Sequence, residues 1–152
     1  MKKKTVVLLG VLALVLILVL AFVGMYNGLA SQREAVETAR STISVQLQRR
    51  NDLIPNLVST VKGYAAHETE AIEQVTTARA NMMGAQTAAD QAQASDQLSS
   101  ALARLAVVVE NYPELKANQN YIALQDELAG TENRIAVARR DYNEAVKTYN
   151  TQ

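Results

Sequence analysis

The chain of 152 residues has no Cys and no Trp, one His, one Phe and two Pro. Without Cys there is no thiol nucleophile, no thiolate metal site and no anchor for a lipoprotein lipid. The absence suits oxidising and reducing compartments alike. The lone His67 is followed by Glu68, but a helical zinc motif needs a second His four residues on, and Ala71 stands there. A di-iron bundle needs Glu three residues before the His, and Tyr64 stands there. The six Gly are scattered and form no phosphate-cradling loop. A serine triad would have to recruit His67 from a helix interior. No basic face interleaved with aromatics is present, so a nucleic-acid partner is not expected. The expectation is no catalytic, cofactor or metal residue, and no enzyme activity.

What is present begins with Lys2-Lys3-Lys4 and an uncharged apolar run from Val6 to Met25. That run has about the length of a helix crossing a bilayer's hydrocarbon core. In lipid the backbone must satisfy its own hydrogen bonds, so the segment is expected to be a helix, with Val6, Leu9, Leu12, Leu16, Leu20 and Met25 among its spanning residues. A cleavable signal peptide is the rival, with Gly28-Leu29-Ala30 as a passable cleavage pattern, but signal apolar regions run only about 7–15 residues. The expected organisation is residues 1–26 as cytoplasmic lysines plus transmembrane helix and residues 27–152 as one body. Three lysines before the span against Arg33 and Arg40 after it lean towards a body outside the cytoplasm. The chain's 15 basic residues include those three lysines, so 12 remain against 15 acidic residues and the body is mildly acidic.

The body is rich in Ala, Gln, Glu and Leu, the composition of long helices with thin seams. Leu29, Val36 and Ile43 repeat every seven residues. Leu47, Ile54, Val61, Val75 and Met82 continue on an adjacent line. Pro55 interrupts this stripe. Continuous phase argues for one kinked helix, whereas length argues for a reversal there, since the halves would each span about 40 Å. Gly84 and Ala85-Gln86 read as a turn, and Thr87-x-x-Asp90 as a capping box. Leu98, Leu102, Leu105 and Val109 mark the next helix, which Asn111-Tyr112-Pro113 ends. The last helix has the cleanest pattern: Tyr121, Leu128, Ile135, Tyr142 and Tyr149 in one column, and Leu124, Thr131, Ala138 and Ala145 in the other. It passes Gly130 without losing phase, at about 1 kcal/mol relative to Ala.

Two polar concentrations flank these stripes: Gln46, Arg49, Arg50 and Asp52, and then Glu132, Asn133 and Arg134, with Arg139 and Arg140 following. They are candidates for a polar layer fixing helix register or for a docking surface. Against this stands a solvated flank of ion pairs worth about 0–1 kcal/mol each.

Several segments together resemble the LemA family of bacterial membrane proteins: Val45-Gln46-Leu47-Gln48-Arg49-Arg50, Asp52-Leu53-Ile54-Pro55-Asn56-Leu57-Val58, Val61 to Glu68, Glu110 to Asn118, and Gly130 to Ala136. The resemblance implies a single-pass protein with an all-α, antiparallel long-helix bundle of four-helix type. It favours Pro55 as a divider, giving helices about 27–53, 56–83, 87–110 and 119–150. Arg40 stands where family members usually carry Trp, which removes one aromatic core contact. Members continue past Tyr149-Asn150 into a short apolar tail, lost or trimmed in a sequence ending at Gln152, so no role of that tail is carried over. Family accounts place the body in the cytoplasm, against the lysine count. The resemblance implies no enzyme activity.

The functional expectation is therefore a non-enzymatic, membrane-anchored helical scaffold or adaptor of the bacterial cell envelope, single-pass in the inner membrane. Its partners would be the lipid bilayer, further copies of itself and other envelope proteins. The alternative is an envelope sensory module signalling through the anchor helix, which a changed response in Pro55→Ala would favour.

Overall fold

The computed structural model describes residues 2–151, with side chains from residue 7 onward. The described residues form helices and no strand: α1 (Lys2–Lys62), α2 (Thr69–Gly84), α3 (Ala88–Val109), the single turn α4 (Pro113–Lys116) and α5 (Gln119–Asn150). One long helix with an apolar N-terminal part is followed by helices packed in a bundle.

Pro55 does not divide two helices, contrary to the boundaries 27–53 and 56–83. It lies inside α1, which runs unbroken from Lys2, so no new helix begins at residue 27 either. The reason is a compensation from outside the helix. Pro has no N–H, so the carbonyl of Asn51, four residues earlier, loses its usual donor. Arg79 of α2 supplies one, its Nε donating to the Asn51 carbonyl oxygen at 3.2 Å. Pro55 itself faces solvent, where its ring displaces no core side chain.

The reversal comes instead at Gly63–Glu68. Tyr64 N–H bonds back to Val61 O at 3.0 Å and Ala65 N–H to the same oxygen at 2.8 Å, tightening the last turn of α1. Lys62 complements the partial negative charge of that helix end. The expected helix 56–83 is thus two elements, and His67 lies exposed in the turn between them rather than in a helix interior. At the other turn, Thr87 caps α3: its Oγ1 accepts from Asp90 N–H at 3.1 Å, and its own N–H donates to Asp90 Oδ2 at 3.3 Å. Pro113 opens α4 at the first helical turn, where a missing N–H costs nothing.

The chain divides into two compact units, Thr42–Val137 and Met1–Ser41 with Ala138–Gln152. In the first, Ile54, Leu57 and Val61 of α1, Ile72 and Val75 of α2, Leu98, Leu105 and Val109 of α3, Leu115 of α4, and Tyr121 and Leu128 of α5 form one buried cluster. A second cluster joins Leu47, Met82, Ala94 and Ile135. In the other unit Ala138 is buried, and Gln32, Val36, Ala39, Tyr142, Ala145 and Tyr149 are half-buried. Arg40 is exposed there.

The Arg79 bond makes a quantitative prediction. Arg79→Ala should destabilise the protein by about 1–3 kcal/mol, because it strands a carbonyl at a residue only 2 % exposed. In a Pro55→Ala background the restored N–H satisfies that carbonyl, so the same substitution should cost under about 1 kcal/mol. A double-mutant cycle by chemical denaturation in micelles measures this; equal costs in both backgrounds would refute the compensation.

Candidate functional site

Two features stand out: the exposed apolar part of α1 and a polar layer inside the bundle. Leu9, Leu12, Leu16, Leu20 and Met25 are between 59 % and 74 % exposed, so none of them is covered by the described residues. The side chain of Val6 lies outside the described residues. This helix is long and apolar enough to cross a membrane, and none of its apolar window is buried within the protein.

The polar layer is built around Arg50, only 4 % exposed. From α1 its guanidinium reaches two other helices. Nη1 lies 2.8 Å from Glu132 Oε2 of α5 and donates to Ser95 Oγ of α3 at 3.5 Å, while Nη2 donates to Ser99 Oγ at 3.0 Å. Ser99 and Ser95 stand one helical turn apart, so both hydroxyls face the same guanidinium. Glu132 remains half in solvent, which keeps its desolvation cost low.

At the surface the layer continues. Arg49 pairs with Glu127 at 2.5 Å, Arg134 with the same carboxylate at 3.2 Å, and Arg134 Nε donates to Gln46 Oε1 at 3.2 Å. A Cβ added at Gly130 would meet Arg134 Nη1 at 3.4 Å, an ordinary van der Waals contact. Gln46, Arg49, Arg50 and Glu132 are therefore brought together. Asp52 instead accepts from Gln48 at 2.8 Å on the exposed side of α1, and Asn133 is exposed. Arg139 is half-buried in the unit containing residues 138–152. Of the seam residues, Tyr121, Leu128 and Ile135 are buried, and Tyr142 and Tyr149 half-buried.

Sequence reasoning missed Ser95, Ser99 and Glu127. The serines carried a faint signal, two small hydroxyls four residues apart on the inward face of α3. Glu127 stands seven residues before Arg134 on one face of α5, and that spacing was the signal that could have found it.

Below the layer, the α1–α2 turn and the α3–α5 connection bond to each other. Tyr112 Oη donates to Glu68 Oε1 at 2.8 Å, and Asn118 Nδ2 donates to Tyr64 Oη at 2.9 Å. The bond to the Glu68 carboxylate, with some burial and the nearby negative charge, raises the Tyr112 hydroxyl above its usual pKa. Burial, with Glu110 nearby, does the same for Tyr121. Among the described residues no three His, Cys, Asp or Glu side chains are grouped to hold a metal ion.

The bonded residues lie in two of the stretches that resemble the LemA family, Val61 to Glu68 and Glu110 to Asn118, and the LemA family pattern matches residues 39–152. The chain belongs to the LemA family. It is similar to magnetosome protein MamQ 2 of Paramagnetospirillum magneticum, 29 % identical over 84 % of this chain and 56 % of the relative. It is similar too to magnetosome protein MamQ of Magnetospirillum gryphiswaldense, 26 % identical over 82 % and 56 %. Protein LemA of Metamycoplasma hominis is 24 % identical over 86 % of this chain and 60 % of its own length. The chain spans little more than half the length of the MamQ proteins it matches. In this LemA-family member the signature from Val45 to Arg50 supplies the α1 side of the polar layer, and Glu132 and Arg134 come from the signature Gly130 to Ala136.

Proposed function

We propose that the protein is a non-enzymatic membrane-anchored scaffold or adaptor of the bacterial cell envelope. The observation that carries this reading is the uncovered apolar helix. Some twenty apolar residues in water would forfeit the roughly 25 cal/mol per Å² that burial returns, and a bilayer is the surface that returns it. Anchoring restricts the body to the membrane surface and raises its effective concentration towards other tethered proteins, itself included. The body offers such partners a register-locked bundle. The likeness to proteins named for the magnetosome supports the reading, because that name denotes a structure and not a reaction.

The experiment combines fractionation with crosslinking. The full-length protein is expected in the membrane pellet after alkaline carbonate washing, with crosslinked dimers or envelope-protein adducts recovered from intact cells. Release into the wash would overturn the anchor, and a membrane-bound protein with no crosslinked product would overturn the scaffold. Protease accessibility in intact and opened spheroplasts places the body on one side of the membrane.

A further inference from the structure

An open groove of about 1050 Å³ runs between α2 and α3 on the surface of the bundle. Ala78 and Ala101 form its floor, and no aromatic or large aliphatic side chain lines it. It therefore has little to offer an apolar ligand. Two bonds cross it: Arg104 Nη1 donates to Gln74 Oε1 at 3.2 Å, and Asn81 Nδ2 donates to Gln97 Oε1 at 3.2 Å. Gln74 and Asn81 stand seven apart on α2, and Gln97 and Arg104 seven apart on α3. The two bonds are thus rungs of one antiparallel ladder, about two helical turns apart, with the alanines between them. Each rung leaves groups unused. The Asn81–Gln97 bond takes the nitrogen of one amide and the oxygen of the other, so Asn81 Oδ1 can still accept and Gln97 Nε2 can still donate. At the other rung Arg104 meets the neutral amide of Gln74, and the neighbouring Glu73 pairs with no cation among the described residues. Gln74 Nε2 donates in turn to Glu70 Oε1 at 3.1 Å.

An occupant must therefore bring a carboxylate for Arg104 and a cation for Glu73 at one level, and an amide donor and acceptor two turns away. The groove itself carries that set. A two-fold axis along the groove lays α3 of one copy against α2 of the other and keeps each rung at its own level. Arg104 of each copy then faces Glu73 of the other, and Gln97 Nε2 of each faces Asn81 Oδ1 of the other. The alanine floor has no bulky side chain to hold the helices apart. A purely basic partner would suit the carboxylates but set a cation against Arg104. We propose that the α2–α3 groove is a self-complementary contact between two copies of this chain. Three carboxylates, Glu70, Glu73 and Asp96, stand against the one guanidinium, which opposes the contact. The face is also small: α2 has 16 residues and is about 24 Å long, giving roughly 500 Å² per copy where a standard interface has about 800 Å². The contact is thus weak in free solution. The inference rests on the membrane-anchored reading, because the anchor supplies the effective concentration that populates it.

The test exploits the absence of Cys. Ser100→Cys puts a thiol in the groove, and Asn133→Cys puts one on an exposed position of α5. Each full-length variant is reconstituted in phosphatidylcholine liposomes, floated to establish insertion, and treated with a short bismaleimide. The expected result is a crosslinked dimer from Ser100→Cys in clear excess over Asn133→Cys. Adding Arg104→Glu should lower the Ser100→Cys dimer about tenfold, because two attractive pairs become repulsive. Adding Glu73→Arg to that same chain should restore it. Glu73 and Arg104 are both exposed, so circular dichroism should show unchanged helix content in these variants. Equal dimer yields from the two thiols, no effect of Arg104→Glu, or no rescue by Glu73→Arg would overturn the proposal. Protein that fails to float overturns the anchor and this contact with it, whereas floated protein without the Ser100→Cys dimer overturns the groove contact alone.

Discussion

Arg50→Ala is expected to lower the unfolding free energy by about 3 kcal/mol. The change removes a buried side chain together with its bonds to α3 and α5. Breaking a buried ion pair by deleting one partner costs about 3–5 kcal/mol, chiefly because the surviving charge is left in a poor solvent. Here the survivor is Glu132, whose side chain is 52 % exposed and can rehydrate, so the lower end of that range applies. The lost volume and the serine hydroxyls left behind on α3 keep the cost from falling further. Arg50→Met should cost under about 1 kcal/mol, because a residue of similar volume replaces the desolvated charge by apolar contact. Denaturant unfolding of the full-length protein in micelles, followed by circular dichroism, measures both. Equal losses in the two variants would show that the guanidinium's polar bonds, and not its volume, carry the stability.

The layer also has a consequence for specificity. A heptad seam of Leu, Ile and Tyr is equally apolar at each repeat, so a slip of α5 by one heptad along α1 would still bury it. Arg50 penalises such a slip, since Glu132 and the pair Ser95 and Ser99 meet it in one register only. Arg50→Met should therefore be stable but more tolerant of alternative packings.

The second large effect concerns the anchor. Leu12→Arg combined with Leu16→Arg should move the protein from the membrane pellet to the soluble fraction. Each Arg near the middle of a span costs about 2.5–3.5 kcal/mol on insertion scales, and each lost Leu about 0.5 kcal/mol, so the pair costs about 6–8 kcal/mol. Neither residue packs on protein: Leu12 is 67 % and Leu16 59 % exposed. Circular dichroism of the bundle should thus be preserved while membrane partition is lost. Retention of the double variant in carbonate-washed membranes would mean that another part of the protein holds it there. Intact-mass measurement separates the rival reading of the same segment, because cleavage after Ala30 would remove the whole apolar run.

The sequence by itself determined those features whose physics is local. Twenty uncharged apolar residues need no partner to declare that they avoid water. The heptads of α5 declare a helix, and the Thr87 and Asp90 pair declares where α3 begins, because capping acts within one turn. Tertiary structure decided the rest. Pro55 breaks a helix by every local rule, yet α1 continues through it, because the missing donor arrives from Arg79, 28 residues beyond the Asn51 carbonyl it serves. Conversely, α1 does end at the turn after Lys62, where nothing in the apolar stripe gave notice. Arg50 and Asp52 look alike as charged residues on a flank, two positions apart. Only packing separates them: on a helix that spacing turns the two side chains to opposite sides, so one is enclosed by α3 and α5 and the other stays in water. The energy of a polar group depends on what surrounds it, and those surroundings come from helices distant in sequence.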